Sequence, residues 1–257
     1  MPEGDTIAWH ANRLRPVLEG AIPDEIRPHV RFSRDRWSER LAGQRIKRVG
    51  TRGKHLLLCF DGGLVLHSHL GMVGSWGVYP PGRRWARSRR RAWLTMRIGD
   101  VEVVEFDGST LELITEGRSR FDQRLSALGP DILAERFDGP EFLRRLRLDD
   151  PTRPFGDTLL DQRIVAGIGN MWKAEGCWEA QIDPWRAAAS VSDGEALAVI
   201  EATQPRMLCS AEKGPMAIDR RVYGRAGQPC RRCGTTIASR GQWEDNRTTY
   251  WCPGCQR

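Results

Sequence analysis

Lysine is nearly absent from this chain. Of its 40 basic residues only four are lysine (Lys47, Lys54, Lys173 and Lys213) and 36 are arginine. Where the background supplies arginine for any position that needs only a cation, a retained lysine marks a place where a compact, titratable ammonium has its own use. Long apolar runs are missing too. No stretch of 18 such residues occurs, which excludes a helical membrane span, and no apolar leader precedes the first amphipathic segment. A disulfide framework is also lacking. Three of the seven cysteines, Cys59, Cys177 and Cys209, stand alone, a usage that fits a reducing, cytoplasmic compartment.

What is present is positive charge. The net charge is +7 and the pI is near 9.3, which points to a polyanionic partner, nucleic acid before others. A chain of 257 residues suits one large or two medium domains. Ile7, Ala11, Leu14 and Leu18 recur at helical spacing, with Asp5 or Thr6 as the expected N-cap and Gly20 as the stop. Residues 21–45 carry no clear pattern. Short strands follow: Leu56–Phe60 and Leu64–His67 flank a Gly-rich turn, Ala92–Ile98 and Val101–Phe106 flank another, and Thr110–Ile114 adds one more. Sequential hairpins imply an antiparallel sandwich or barrel. Between the hairpins, Pro80–Arg91 holds six arginines in twelve residues, an exposed basic loop. From Asp131 the pattern turns helical, with expected helices at Ile132–Leu148, Thr158–Val165, Met171–Ala180 and Glu195–Leu208. Gly167-Ile168-Gly169-Asn170 interrupts that run. It reads either as an anion-binding helix start or as a bare corner between helices.

Two features carry chemistry. Cys230-x2-Cys233 and Cys252-x2-Cys255 are separated by 18 residues, the spacing of a closed, tetrahedral structural zinc site on a small hairpin. Four thiolates on one Zn²⁺ bring the effective net charge nearer +5. Arg231, Arg232, Arg240 and Arg247 surround the ligands, so the module fits nucleic acid or a protein partner. The second feature is Met1-Pro2-Glu3-Gly4. With Met1 removed, Pro2 carries a secondary α-amine. Such amines titrate near ~8 against ~10.4 for lysine, and the unprotonated form attacks carbonyl carbon. Glu3 stands beside it as a proton donor or acceptor.

These pieces, with Thr51-Arg52-Gly53-Lys54-His55-Leu56, His69-Leu70-Gly71-Met72, Leu159-Leu160-Asp161-Gln162 and Val222-Tyr223-Gly224-Arg225, fall in one order. The chain resembles the formamidopyrimidine-DNA glycosylase/endonuclease VIII family over essentially its whole length. The resemblance implies an α+β multidomain protein. Residues 1–122 would form a catalytic antiparallel β-sandwich with flanking helices, 131–220 a helix–two-turn–helix DNA-binding domain, and 221–257 a four-cysteine zinc finger holding one structural zinc. It also implies base excision followed by strand cleavage through β,δ-elimination, on damaged DNA, duplex or single-stranded, by a bacterial, nucleoid-associated monomer. Residue by residue, Pro2 matches the nucleophile and Glu3 the acid/base residue. Lys54 matches the lysine that contacts a phosphate and assists proton transfer. Asn170 and Arg247 match phosphate-gripping residues, and Met72 the residue that fills the gap left by a flipped base. Cys230, Cys233, Cys252 and Cys255 match the zinc ligands.

The chain departs from the family pattern in two places. Asp5-Thr6 stands where many relatives have Pro-Glu, and no Asp-Pro-Arg-Arg-Phe-Gly segment occurs. Tyr250-Trp251-Cys252-Pro253 is similar to the endonuclease VIII branch, and Gly71-Met72 to the other. The resemblance is read as an endonuclease VIII type acting mainly on oxidised pyrimidines. The alternatives are a purine-lesion glycosylase and a non-catalytic damaged-DNA-binding protein.

Overall fold

The apolar spacing at the start of the chain becomes helix α1 (Gly4–Leu18), which buries Ile7, Ala11, Leu14 and Leu18 almost completely. Its N-cap is Glu3 rather than Asp5 or Thr6. Asp5 lies inside the first turn and is itself buried, where a carboxylate suits the positive end of the helix dipole. The computed structural model describes residues 2–242 and 246–257. It divides into two compact units, 1–126 and 127–257.

In the first unit, α1 is followed by β1 (Glu25–Pro28), the one-turn α2 (Trp37–Arg40), β2 (Ile46–Arg52), β3 (His55–Phe60), β4 (Leu64–His69), β5 (Ser75–Tyr79), β6 (Ala92–Ile98), β7 (Val101–Phe106) and β8 (Thr110–Thr115), then the short helices α3 (Glu116–Phe121) and α4 (Gln123–Ser126). Two antiparallel four-stranded sheets form, in the orders β2-β3-β4-β8 and β1-β6-β7-β5. Leu56, Leu58, Phe60 and Leu66 from one sheet meet Trp76, Leu94, Met96 and Val103 from the other, and α1 packs into the same core. This is the expected sandwich.

In the second unit the helices differ from the expected ones. The segment Ile132–Leu148 is helical only over α5 (Gly139–Leu148), because Asp138 caps it and Pro140 occupies its first turn, where a missing N–H does no harm. Thr158–Val165 is not a helix. α6 (Phe155–Thr158) ends where that segment begins, and Asp161 folds back to accept from the Arg163 backbone N–H at 2.9 Å, the local bond that competes with helix. α7 (Asn170–Glu179) starts one residue before the expected position. α8 (Asp193–Lys213) is longer than expected at both ends and opens on a Ser192/Glu195 capping box. β9 (Ala238–Gln242) and β10 (Arg247–Trp251) then pair as an antiparallel hairpin.

One residue contradicts the interior of the sandwich. Glu105 lies on the same face of β7 as the core residue Val103 and is 0% exposed. Its carboxyl rests against Gly108, whose missing Cβ leaves the room; neither oxygen makes a well-formed hydrogen bond among the described residues, and the nearby Gly108 backbone N–H only partly offsets the burial. Burial pushes its pKa up to about 8, with the Asp107 charge acting in the same direction. The native state therefore keeps a proton that the unfolded chain, titrating near ~4.3, gives up. Stability from this group is present at low pH and lost as pH rises toward 8. Glu105→Gln is expected to gain on the wild type between pH 5 and 8, by up to about 1.4 kcal/mol per pH unit. Urea melts across that range measure it, and a difference independent of pH would mean the carboxyl is ionised in the folded protein.

Candidate functional site

In the first unit the candidate residues gather at one end of the sandwich. Arg15 donates to the Val49 carbonyl at 3.1 Å, and the Val49 N–H donates to Glu19 at 2.8 Å. These bonds fix the last turn of α1 over the middle of β2. From there the helix runs back toward Gly4 while the strand runs on to Lys54, and both cover roughly 16 Å at ~1.5 and ~3.3 Å per residue. Pro2 and Glu3 therefore lie at the end of the sandwich where Lys54 occupies the β2–β3 turn. Glu3 is 3% exposed and Pro2 is half-buried.

Met72 is at the same end. His55 pairs with His69 and His69 with Thr110 across β3, β4 and β8, and the chain then turns through Leu70–Gly74 into β5. Gly71 has φ +59, which a residue with a Cβ resists. Met72 is 65% exposed at the tip and Val73 is exposed beside it, so this methionine is not a core residue. His69 supports the turn. Its Nδ1 accepts from the Gly71 N–H at 3.3 Å and lies 2.8 Å from Ser109 Oγ in the β7–β8 turn. An accepting Nδ1 requires the neutral imidazole. Burial, then the Lys54 and Arg124 charges, hold the His69 pKa below its ordinary value. His69 and Ser109 were not singled out from the sequence, although His69 lies within a motif that was.

His55, His67 and His69 line the outer face of the β2-β3-β4-β8 sheet, with His55 Nδ1 2.8 Å from His67 Nε2. His67, Glu112 and Asp122 come close enough to hold a metal ion. The Arg124 guanidinium already pairs with both carboxylates, at 2.8 Å to Glu112 and 2.6 Å to Asp122. A fixed cation fills that role.

In the second unit α7 organises the site. Asn170 is its first residue and donates from Nδ2 to the Thr248 carbonyl at 2.8 Å. That places Asn170 against the residue next to Arg247, across 78 positions of sequence. Arg247 opens β10 and is half-buried. One turn along α7, Lys173 is 0% exposed and its Nζ donates to Gln242 Oε1 at 3.1 Å and Thr249 Oγ1 at 2.5 Å. Gln242 in turn donates to the Pro184 carbonyl at 2.7 Å. Glu175, also fully buried, accepts from the backbone N–H groups of Arg221, Val222 and Tyr223 at 2.9–3.0 Å and pairs with Arg206 at 3.0 Å. The Val222-Tyr223-Gly224-Arg225 motif is thus seized by its backbone. The scarcity of lysine flagged Lys173; nothing local flagged Glu175.

The four finger cysteines fit zinc. Their sulfurs lie within 4.8 Å of one another, with Cys230 and Cys255 at 3.9 Å and Cys233 and Cys252 at 3.4 Å. A tetrahedron with Zn–S bonds of ~2.3 Å requires sulfurs ~3.8 Å apart. The Trp178 indole N–H and the Arg232 N–H both point at Cys230 Sγ, at 3.3 and 3.4 Å, supporting a thiolate as outer partners do.

Known proteins match along the whole chain. The model of the formamidopyrimidine-DNA glycosylase N-terminal domain matches residues 1–113, that of the formamidopyrimidine-DNA glycosylase H2TH domain 128–219, and that of the zinc finger found in FPG and IleRS 227–257. "Probable endonuclease 8 2" of Streptomyces coelicolor is 38% identical, covering 100% of this chain and 94% of the relative. "DNA-(apurinic or apyrimidinic site) lyase Nei2" of Mycolicibacterium smegmatis is 34% identical over 100% of this chain and 99% of its own. Among solved structures, Lactococcus lactis Fpg with N7-benzyl-Fapy-dG DNA matches with a TM-score of 0.85 at 25% identity, covering 100% of both chains. The same protein bound to DNA containing an oxidised pyrimidine matches equally, with a TM-score of 0.85 and 25% identity.

Glu175→Gln tests how the finger is anchored. The amide replaces one accepting oxygen with a donor aimed at N–H groups and leaves Arg206 without this partner. Breaking a buried pair in this way costs about 3 kcal/mol, and the loss should persist in high salt because the group is screened from solvent. Urea melts at low and high salt read both effects. Unaltered stability would mean that the 221–223 segment is held by other contacts.

Proposed function

The chain belongs to the formamidopyrimidine-DNA glycosylase/endonuclease VIII family, and from that membership we propose that it is a DNA glycosylase and apurinic/apyrimidinic lyase of base-excision repair. In this reading the Pro2 amine adds to the sugar C1′ as the bond to the damaged base breaks, and Glu3 transfers the proton that ring opening requires. The resulting iminium makes the sugar an electron sink, so the 3′ and then the 5′ phosphate leave by β,δ-elimination. Lys54, Asn170 and Arg247 hold phosphates, and Met72 enters the space vacated by the flipped base. The finger's zinc supplies structure and takes no part in the chemistry. The observation that supports this reading best is the placement of the Pro2–Glu3 terminus, Lys54 and the exposed Met72 at one end of one sandwich.

For the substrate we favour oxidised pyrimidines. The relatives named endonuclease 8 and the missing Arg-Arg-Phe segment support that choice. The β7–β8 turn, Asp107-Gly108-Ser109, has Ser109 bonded to His69 and offers no long side chain to fill a duplex gap. The Gly71-Met72 turn is the feature that favours purine lesions.

The amine is the first thing to test. Met1 lies outside the described residues, and a retained Met1 or an N-terminal tag would make the Pro2 nitrogen a planar tertiary amide with no lone pair to donate. A cleavable N-terminal tag should abolish base excision and borohydride trapping, and its removal to expose Pro2 should restore both. Full activity with Pro2 blocked would move the nucleophile elsewhere, to Lys54 first. Glu3→Gln should keep the free amine yet lose excision.

Substrate choice is read from single-turnover rates on matched duplexes. Thymine glycol and 5-hydroxyuracil are expected to be released faster than 8-oxoguanine. A clear preference for 8-oxoguanine opposite cytosine would assign the enzyme to the purine branch.

A further inference from the structure

The loop joining β5 to β6, residues 80–91, contains Arg83, Arg84, Arg87, Arg89, Arg90 and Arg91, and none of them has a part in the site described above. A run of cations is ordinarily a solvated face. This one is built. Trp85 packs edge-on against Phe106, with ring centroids 5.8 Å apart, and against Tyr79 at 6.1 Å. Its indole N–H donates to Glu102 at 2.9 Å, and the Ala86 N–H donates to the Tyr79 hydroxyl at 3.1 Å. With Val104 and Ala92 these rings make a small apolar cluster on the outer face of the β1-β6-β7-β5 sheet, so the loop is pinned at its middle.

The arginines divide into two sets. Arg87 and Arg91 both reach Asp107 Oδ2 at 2.7 Å, which neutralises part of their charge and ties down the end of the loop. Arg83, Arg84, Arg89 and Arg90 are exposed, and among the described residues none has a carboxylate within ion-pair distance. Arg89 lies over the Trp85 ring at 4.5 Å, which holds its guanidinium in place. A groove of about 890 Å³ runs between the loop and the β6–β7 turn, lined by Arg83, Arg84, Arg89 and Trp85 from the loop and by Asp100 and Glu102 across from it. Four unbalanced cations on a rigid support repel one another, a cost that an arriving polyanion relieves.

Position identifies the polyanion. Asp107 leads directly into Gly108 and Ser109, the turn that braces His69 and through it the Met72 tip. The arginine loop and the Met72 turn therefore share one support. From Ala92, paired with Phe106, to Tyr79, paired with Glu102 on the other side of β7, the loop spans about 16 Å, from four residues at ~3.3 Å along the strand and two spacings of ~4.8 Å across it. At ~3.4 Å of rise per phosphate on one strand, that is about five phosphates. We propose that this loop is a second DNA-binding surface that takes the phosphate backbone of the duplex flanking the lesion. The proposal rests on the DNA-repair reading above.

The test uses the full chain with Pro2 exposed and the variant Arg83→Gln/Arg84→Gln/Arg89→Gln/Arg90→Gln. Affinity for a 30-base-pair duplex bearing a tetrahydrofuran abasic analogue is measured by fluorescence anisotropy from 50 to 200 mM salt. The log–log salt slope should fall by about 3.6 units if all four contact phosphates. Single-turnover excision at saturating enzyme should be unchanged, because the loop binds and does no chemistry. The corresponding quadruple Lys variant should recover most of the slope, since a phosphate accepts a point charge. An unchanged slope in a variant that melts like wild type overturns the proposal and leaves the loop to solvent or to an acidic protein. A slope lost with Gln and not recovered with Lys also overturns it, as damage to the fold. If the wild-type protein neither excises nor traps, the functional reading itself fails. If it does both and the slope stays put, only the loop assignment fails.

Discussion

The nucleophile proposed at the second residue depends on one constraint: the terminus must not fray. Chain ends are ordered only where something ties them down. Here the tie is α1, which begins one residue after Glu3 and whose apolar stripe enters the sandwich core at Ile7. Val49 bonds the helix through both its N–H and its carbonyl, so α1 can neither slide nor rotate along β2. The β2–β3 turn carries Lys54, β4 ends on His69, and the turn beyond His69 carries Met72. Loosening the helix would displace the amine from every group proposed to work with it.

The second unit meets an equivalent demand with polar contacts. A finger of this size has too little apolar surface to fix its own orientation. α7 supplies the rest from four side chains in under three turns. Asn170 takes Thr248, Lys173 takes Gln242 and Thr249, Glu175 takes the 221–223 backbone, and Trp178 takes Cys230. Ala174 and Trp178 also share an apolar cluster with Val222, Ile237 and Cys252. A helix buried on nearly every face does not read as amphipathic, which is why its sequence looks unremarkable.

Much of this was legible in residue order because the signals were local. The 4-3-4 spacing of α1, the Gly-flanked hairpins and the paired Cys-x2-Cys motifs each record a structure that closes within a few residues. The misses have a common cause in residues whose conformation is set elsewhere. β5 was overlooked because Gly77 breaks its pattern, and that glycine is needed to admit the Tyr79 ring. β1 is a four-residue edge strand ending at Pro28, a position where proline is tolerated and a strand is hard to foresee. Helical periodicity over 159–165 was real as a pattern, but Asp161 diverts the backbone into turns. The α7 contacts reach across 46 to 78 residues, and no spacing rule reports such a distance.

That reach has a consequence for how the protein is made. Domains fold from the N-terminal side as a chain is synthesised, and the sandwich is complete in sequence by residue 126. Asn170 and Lys173 take partners at positions 242–249, so those α7 contacts cannot form until the β9–β10 hairpin has been translated. On the proposed reading, the terminus that would carry the chemistry is complete in sequence first, and the contacts that hold Asn170 beside Arg247 are complete last.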